Sequence, residues 1–368
     1  MICSSIPNPH ANAVLTIDLA AIRNNYAILQ RQLGGVECAA VIKANGYGLG
    51  ADKVASTLLK AGCNKFFVAH LEEGISLRQS VGNAEIHILN GLLAGAEDTY
   101  REHQLTPVLG SLSEISAWQA YTANAPLPCD IHVDTGMLRL GLAADELQHI
   151  TASPGLIAGL DIKNIMSHLA SADDIHSTQN AAQLEIFNEV RELLPMGKAC
   201  LANSSGAFLG ALYHFDLARP GMALYGLNPT PDSPNPMQGV VELKARIIQI
   251  RDALEGETVG YGATHKVAKP SRIATLAVGY ADGYLRSLSS HAYGYIGTYK
   301  IPLVGRVSMD LITFDVSQVP DNLCQPGSWV ELIGSQHSVD DLASEGGTIG
   351  YEVLTSLGTR YHRVYTNE

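Results

Sequence analysis

A chain of 368 residues is longer than one hydrophobic core usually grows, so two domains are expected. Apolar residues make up 46% and charged residues 16%, the balance of a globular enzyme and not of a disordered or fibrous chain. A net charge of -12 speaks against a nucleic-acid or anionic-membrane surface, since both need clustered Lys and Arg.

The six cysteines (Cys3, Cys38, Cys63, Cys129, Cys200 and Cys324) form no Cys-x-x-Cys pair, so neither a zinc site nor a disulfide framework is expected. Residues 1–12 have neither a basic start nor the apolar core of a signal peptide. No apolar stretch reaches the ~20 residues that span a bilayer. Reduced thiols and no targeting segment lead us to expect a cytoplasmic protein without metal or membrane partner.

Along the chain, Asp18 reads as the N-cap of a helix with Ile22, Tyr26, Leu29 and Leu33 on its apolar face. Strand patterns follow at 36–42, 65–70, 85–90, 105–109, 129–135, 160–168, 198–203 and 214–219. Amphipathic stretches lie between them, among them 50–61, 112–122 and 177–194. In the last, Ala181, Leu184, Phe187, Val190 and Leu194 share one face. Such alternation over roughly 200 residues predicts a TIM (β/α)8 barrel, with a doubly wound open sheet as the alternative. Residues 228–237 hold four prolines in ten positions and read as a linker. Short β-rich runs follow at 243–250, 273–278, 299–304, 311–316 and 329–333, with one helical piece at 348–357. They predict a C-terminal mainly-β domain, an antiparallel barrel or sandwich. The expected division is a barrel over 12–236 and a β-domain over 237–368, with residues 1–11 a candidate addition to the latter. No solenoid-type repeat is apparent.

In a barrel, chemistry belongs at the carboxyl ends of the strands. Lys43 follows the first strand, and a desolvated lysine there can condense with a carbonyl such as that of pyridoxal phosphate (PLP). A merely solvated lysine is the plainer account of that position taken alone. Arg139 follows the fifth strand, His168 ends the sixth, Asn203-Ser204-Ser205-Gly206 ends the seventh and Arg219-Pro220-Gly221 ends the eighth. The Ser-rich turn suits a helix cap or, through its N–H groups and those of Gly221 and Met222, a phosphate. His168 alone suits a satisfied core histidine equally well. Arg219 is harder to explain away, because an apolar strand rarely carries an arginine without a partner.

Taken together, Thr16–Leu19, Val41-Ile42-Lys43-Ala44-Asn45-Gly46-Tyr47-Gly48, Asp134–Gly141, Ser167-His168-Leu169, Asn203-Ser204 and Ala218-Arg219-Pro220-Gly221 resemble the alanine racemase family. So do Val259–Thr264, Val278–Tyr284, Gly305–Asp310 and Ile349–Glu352, so the resemblance covers essentially the whole chain. It implies a PLP-dependent alanine racemase with Lys43 as the lysine that condenses with the cofactor and later serves as a base on one face. Tyr261 matches the opposing base, supplied in the family by the other subunit of a homodimer. Because a free phenol has a pKa of ~10, the family's grouping of tyrosine, histidine and arginine (here Tyr261, His168 and Arg219) is what favours its phenolate. Tyr47, Ser204, Gly221, Met222 and Tyr351 match phosphate contacts, and Asn203 belongs to the same cofactor motif. Arg219 matches the partner of the pyridine nitrogen. An arginine there cannot act as acceptor for a protonated ring, which leaves a weaker electron sink and favours racemisation over transamination.

Arg139 matches a contact to the cofactor phenolic oxygen and to substrate, Met309 a contact to the substrate carboxylate. Tyr284, Tyr351 and Asp310 resemble a narrow entry. One departure stands out: His132 occupies the place where much of the family has a lysine, commonly carbamylated, that braces the arginine. Histidine forms no stable carbamate, so Arg139 must be held by another group, a chloride or a neighbouring side chain.

A broad-specificity or serine racemase is the nearest alternative. A decarboxylase would want an acid where Arg219 stands. A PLP-binding protein without turnover would lack the β-domain residues Tyr261 and Met309. Whether the product feeds peptidoglycan or alanine is broken down is not written in the chain.

Overall fold

The computed structural model describes residues 10–367, so Cys3 and residues 1–9 of the expected N-terminal addition lie outside the described residues. Two compact units divide it: Ile22–Gln238, and the described residues up to Ala21 with those from Gly239 onward.

The first unit is a parallel barrel. Strand β1 is made of Glu37–Cys38 and Ala40–Val41. Then come β2 (Lys65–Val68), β3 (Glu85–Ile88), β4 (Thr106–Leu109), β5 (Pro128–His132), β6 (Asp161–Met166), β7 (Lys198–Cys200) and β8 (Leu217–Ala218). Each pairs in parallel with its neighbour in sequence order from β1 to β7. β8 closes the ring: Asp216 and Arg219 donate their N–H groups to Ala199 and Ala202 carbonyls, while Ala39 and Val41 donate to Ala218 and Pro220. Inside, Val41, Phe67, Val108, Met166, Cys200 and Leu217 form a packed apolar layer, as alternation of in- and out-facing residues requires. Most strands are shorter than their apolar runs suggested, because those runs continue past the last ladder bond into the rim loop. The barrel, not the open sheet, is the architecture.

Helix Leu19–Leu33 begins as expected, with Asp18 Oδ1 accepting from the N–H groups of Ala20 (2.8 Å) and Ala21 (3.1 Å), and its predicted apolar face is buried. Helix Thr178–Leu193 buries Phe187 and Val190 of its predicted face, with Leu194 just beyond its end, but that face is shifted at its start. Asn180 and Gln183 are buried with Phe187 and Val190, while Ala181 is exposed. Polar side chains claimed the inside because they hydrogen-bond rim loops there.

The second unit is an eight-stranded mixed sheet around the long strand Val241–Ala253, which pairs antiparallel with Ala13–Asp18, Ser271–Leu276 and Trp329–Ile333. Ala13–Asp18 in turn runs parallel to His362–Thr366. Both of those strands, together with Tyr293–Ile296 and helix Val339–Glu345, go beyond the predicted pattern.

Candidate active site

Lys43 leaves β1 into an unusual turn. Ala44, Asn45, Gly46 and Tyr47 all have φ between 53° and 62°, the left-handed region. For the three that are not glycine this costs roughly 1–2 kcal/mol each. The turn is closed internally by Gly46 N–H to Ile42 O (2.9 Å) and Gly48 N–H to Ala44 O (2.7 Å). Tyr47 packs its ring 4.5 Å from that of Tyr225, whose hydroxyl donates to Val41 O.

Burial, then the charges of Arg139 and Arg219, hold the Lys43 amine below the ordinary lysine range against an opposing pull from Glu73. His168 is pushed well below the ordinary histidine value, first by burial, then by Arg219, Arg139, His132 and Lys43. His132 falls to about 4, again by burial and then Arg219, with Asp134 opposing. Both rings are therefore neutral at pH 7. Lys43 follows β1, His132 ends β5, Arg139 and His168 lie in the loops after β5 and β6, and Arg219 follows β8, so all five stand at the carboxyl rim of the barrel.

Arg219 is buried. Its Nε donates to Cys200 Sγ at 3.0 Å and its Nη2 to Ser167 O at 2.5 Å, with the guanidinium 5.7 Å above the Phe67 ring. Ser167 Oγ lies 2.7 Å from Thr135 Oγ1, which accepts from Gln183 Nε2 at 3.1 Å. In the sequence Cys200 was noted only as an unpaired cysteine and Thr135 only as part of Asp134–Gly141, while Gln183 was not singled out. Only the break in the apolar face at Gln183 could have pointed to them.

Ser204 and Gly221 sit side by side: Ser204 Oγ accepts from the N–H groups of Gly221 (2.9 Å) and Ala223 (3.3 Å). A Cβ on Gly221 would run into the Tyr47 hydroxyl, so only glycine leaves this space open. Met222 is buried beside it. Asn203 links two rim loops, its Oδ1 accepting from Gly206 N–H (2.8 Å) and its Nδ2 donating to Leu169 O (3.3 Å).

The remaining candidates lie in the β-unit. Tyr261 is 73% exposed on a one-turn 3-10 helix flanked by the positive-φ glycines Gly260 and Gly262. Met309 and Tyr351 are also exposed, while Asp310 is paired with Arg360 Nη1 at 2.8 Å. Tyr284 is buried within its unit, with no hydrogen-bond partner for its hydroxyl. The five described cysteines are buried and free, and no metal-binding group of His, Cys, Asp or Glu occurs among the described residues. Among the described residues no helix is long and apolar enough to cross a membrane.

Comparison with known proteins covers nearly the whole chain. The model of the alanine racemase N-terminal domain matches residues 17–229, and that of the alanine racemase C-terminal domain matches 240–365. A catabolic alanine racemase of Mesorhizobium japonicum is 50% identical over 96% of this chain and 93% of its own length. The alanine racemase of Acidiphilium cryptum is 50% identical over 95% of this chain and 98% of its own. The crystal structure of alanine racemase from Bartonella henselae, with covalently bound pyridoxal phosphate, matches with a TM-score of 0.93 and 42% identity, covering 96% of this chain and 99% of that one.

Proposed function

The chain belongs to the alanine racemase family, and for the PLP-dependent interconversion of L- and D-alanine that it performs we propose Lys43 and Tyr261 as the two bases. The barrel rim fits the cofactor on its own chemistry. Lys43, Arg139 and Arg219 bring three cations together, while the nearest carboxylates are occupied. Asp134 accepts from the N–H groups of Gly136, Met137 and Leu138, and Glu73 accepts from that of Ala44. A ligand with a phosphate and a phenolic oxygen supplies the missing negative charge. Tyr47, Ser204, Gly221, Met222 and Tyr351 would hold the phosphate, with Asn203 fixing the loops around it. Arg139 would meet the phenolic oxygen and Arg219 the ring nitrogen.

Lys43 would hold the cofactor until the substrate amine releases it, and the bound group would supply an electron sink that weakens the Cα–H bond of alanine. The lowered pKa of Lys43 leaves more of its Nζ free to take a proton on one face. Tyr261 Oη serves the other face, reaching the site from the partner subunit of a homodimer; its exposure within a single chain supports that reading. Arg219 would offer a donor and no acceptor to the ring nitrogen, which would favour that atom unprotonated. Neutral His168 adds no positive charge to the expected tyrosine, histidine and arginine grouping, which leaves Arg219 as the cation that would favour the Tyr261 phenolate. Met309 and Arg139 receive the substrate carboxylate, and Tyr351 and Asp310 narrow the entry against larger side chains than alanine's, whereas Tyr284, buried within its unit, does not line it as expected. In the cell we place the enzyme in the cytoplasm, making D-alanine for peptidoglycan or opening alanine breakdown.

The convergence of Lys43, Arg139, His168 and Arg219 on one rim carries this assignment. Chiral chromatography of product from L-alanine, with L-serine alongside, tests its substrate side: D-alanine with little D-serine is expected. Comparable turnover of both would replace it with a broad racemase. Tyr261→Phe should slow solvent-deuterium exchange into L-alanine far more than into D-alanine, and equal loss from both enantiomers would remove Tyr261 from its role.

A further inference from the structure

The rim loops are joined by a repeated device. In helix Leu71–Val81, Glu73 sends Oε2 to the N–H groups of Ala69 (2.8 Å) and His70 (3.2 Å) in its own loop, and Oε1 to Ala44 N–H (2.6 Å) in the loop after β1. In helix Leu112–Thr122, Glu114 does the same with Gly110 N–H (2.6 Å) and, in the loop after β3, Leu92 N–H (3.0 Å). In helix Ala144–Ala152, Glu146 joins Ala143 N–H (3.0 Å) to Leu112 N–H (3.1 Å) after β4. All three are the third residue of their helix, where an acidic side chain also favours the helix dipole. Gln183 performs the analogous task one strand later, between Ala170 N–H and Thr135 Oγ1.

Only the Glu73 staple grips the residue that follows Lys43. Ala44 is the first of the left-handed run, and a backbone in that region persists only where its surroundings hold it. We propose that Glu73 is a positioning residue for Lys43, its carboxylate tying the left-handed turn after β1 to the loop after β2 so that the lysine amine stays aimed into the barrel mouth. The proposal rests on Lys43 being the cofactor lysine. Glu114 is a natural control, since it makes the same staple between loops that carry no site residue.

The test compares Glu73→Gln with Glu114→Gln in cofactor-free protein. A glutamine has one acceptor oxygen and cannot serve both ends of the staple. Two quantities are read: affinity for added PLP by absorbance, and amide hydrogen exchange over residues 43–50. With thermal midpoints falling by similar amounts, E73Q should bind PLP about tenfold or more weakly than E114Q. Its 43–50 amides should also exchange faster, while those of E114Q stay as in the parent. If E73Q does not fold, Glu73→Asp, too short to span both loops, takes its place. Equal PLP affinity and equal 43–50 exchange in the two variants would overturn the role of Glu73. Borohydride reduction and peptide mapping of the parent protein separate this from failure of the premise. Cofactor fixed to another lysine would sink the Lys43 assignment. Cofactor on Lys43 with E73Q matching E114Q would sink only the positioning role.

Discussion

His87 and Asp130 form an ion pair in the middle of the barrel, and its removal is worth following quantitatively. Both side chains are fully buried, with His87 Nδ1 2.6 Å from Asp130 Oδ2 and Asn164 Nδ2 donating to Asp130 Oδ1 at 2.7 Å. His87 Nε2 lies 3.4 Å from Glu85 Oε2, an ion-pair distance without hydrogen-bond geometry, and its ring stacks 4.5 Å from Phe67. Burial pulls the imidazole pKa down, but the charge and hydrogen bond of Asp130, helped by Glu85, outweigh it and raise the pKa above the ordinary value. His87→Phe keeps the stacked ring and strands Asp130 in the apolar interior. Breaking a buried pair from one side costs about 3–5 kcal/mol, and that loss is expected here below pH 6.5.

The sign of its pH dependence follows from linkage. A group whose folded pKa is raised stabilises fully below its unfolded pKa of about 6.5 and loses that contribution as pH rises through the folded pKa. Read against His87→Phe/Asp130→Asn, which leaves no stranded carboxyl to titrate, the parent should lose stability relative to the variant from pH 6 toward pH 9. Urea midpoints at fixed protein concentration, measured every half pH unit, read it directly. A cost under about 1 kcal/mol for H87F at pH 6, or a parent that gains on the double variant as pH rises, would refute the assignment of a charged His87.

Further tests follow from single contacts. Arg191 caps the end of its helix by donating to the carbonyls of Leu194, Pro195, Met196 and Gly197, so Arg191→Ala should cost about 1–3 kcal/mol in urea unfolding with cofactor affinity unchanged. Gly221→Ala puts a methyl group against the Tyr47 hydroxyl, and equilibrium binding should show weakened PLP affinity with a smaller loss of thermal stability. In cofactor-free protein the pH profile of Lys43 modification by an amine reagent, followed by peptide mass spectrometry, should lie below that of exposed lysines, because its pKa is lowered. Cys200→Ser should keep an acceptor for Arg219 Nε whereas Cys200→Ala removes it, so only the alanine variant should shift the visible spectrum of the bound cofactor.

The barrel was legible because β1 to β8 are buried on both faces and read as apolar runs at regular spacing, while the helices between them alternate at 3.6. The β-unit was only half legible. Ala13–Asp18 and His362–Thr366 pair with each other from opposite ends of the sequence, and nothing local announces a partner nearly 350 positions away. Tyr293–Ile296 is a four-residue strand with a glycine inside, too short and too broken for a period of two to register. Helix Val339–Glu345 spans two turns, below the length at which helical periodicity separates from chance.

The site divides along a similar line. Residues with a distinctive chemistry in an apolar setting, Lys43 and Arg219 above all, stood out because their types are out of place there. The groups that hold them did not. Glu73, Glu114 and Glu146 look like ordinary acidic residues in first helical turns, and their second task is to reach a neighbouring loop, which no window of sequence contains. His132 shows the same limit from the other side. Its identity was legible, and so was the missing negative charge, but not its consequence. With the imidazole driven down to about 4, the carboxylates left beside Arg139, Arg219 and Lys43 are Glu73 and Asp134, and both are already taken up by backbone N–H groups. The burden of neutralising that cluster then passes to the ligand. A cofactor carrying a phosphate and a phenolic oxygen matches this rim better than it would one with a built-in carbamate, and should be held the more tightly for it.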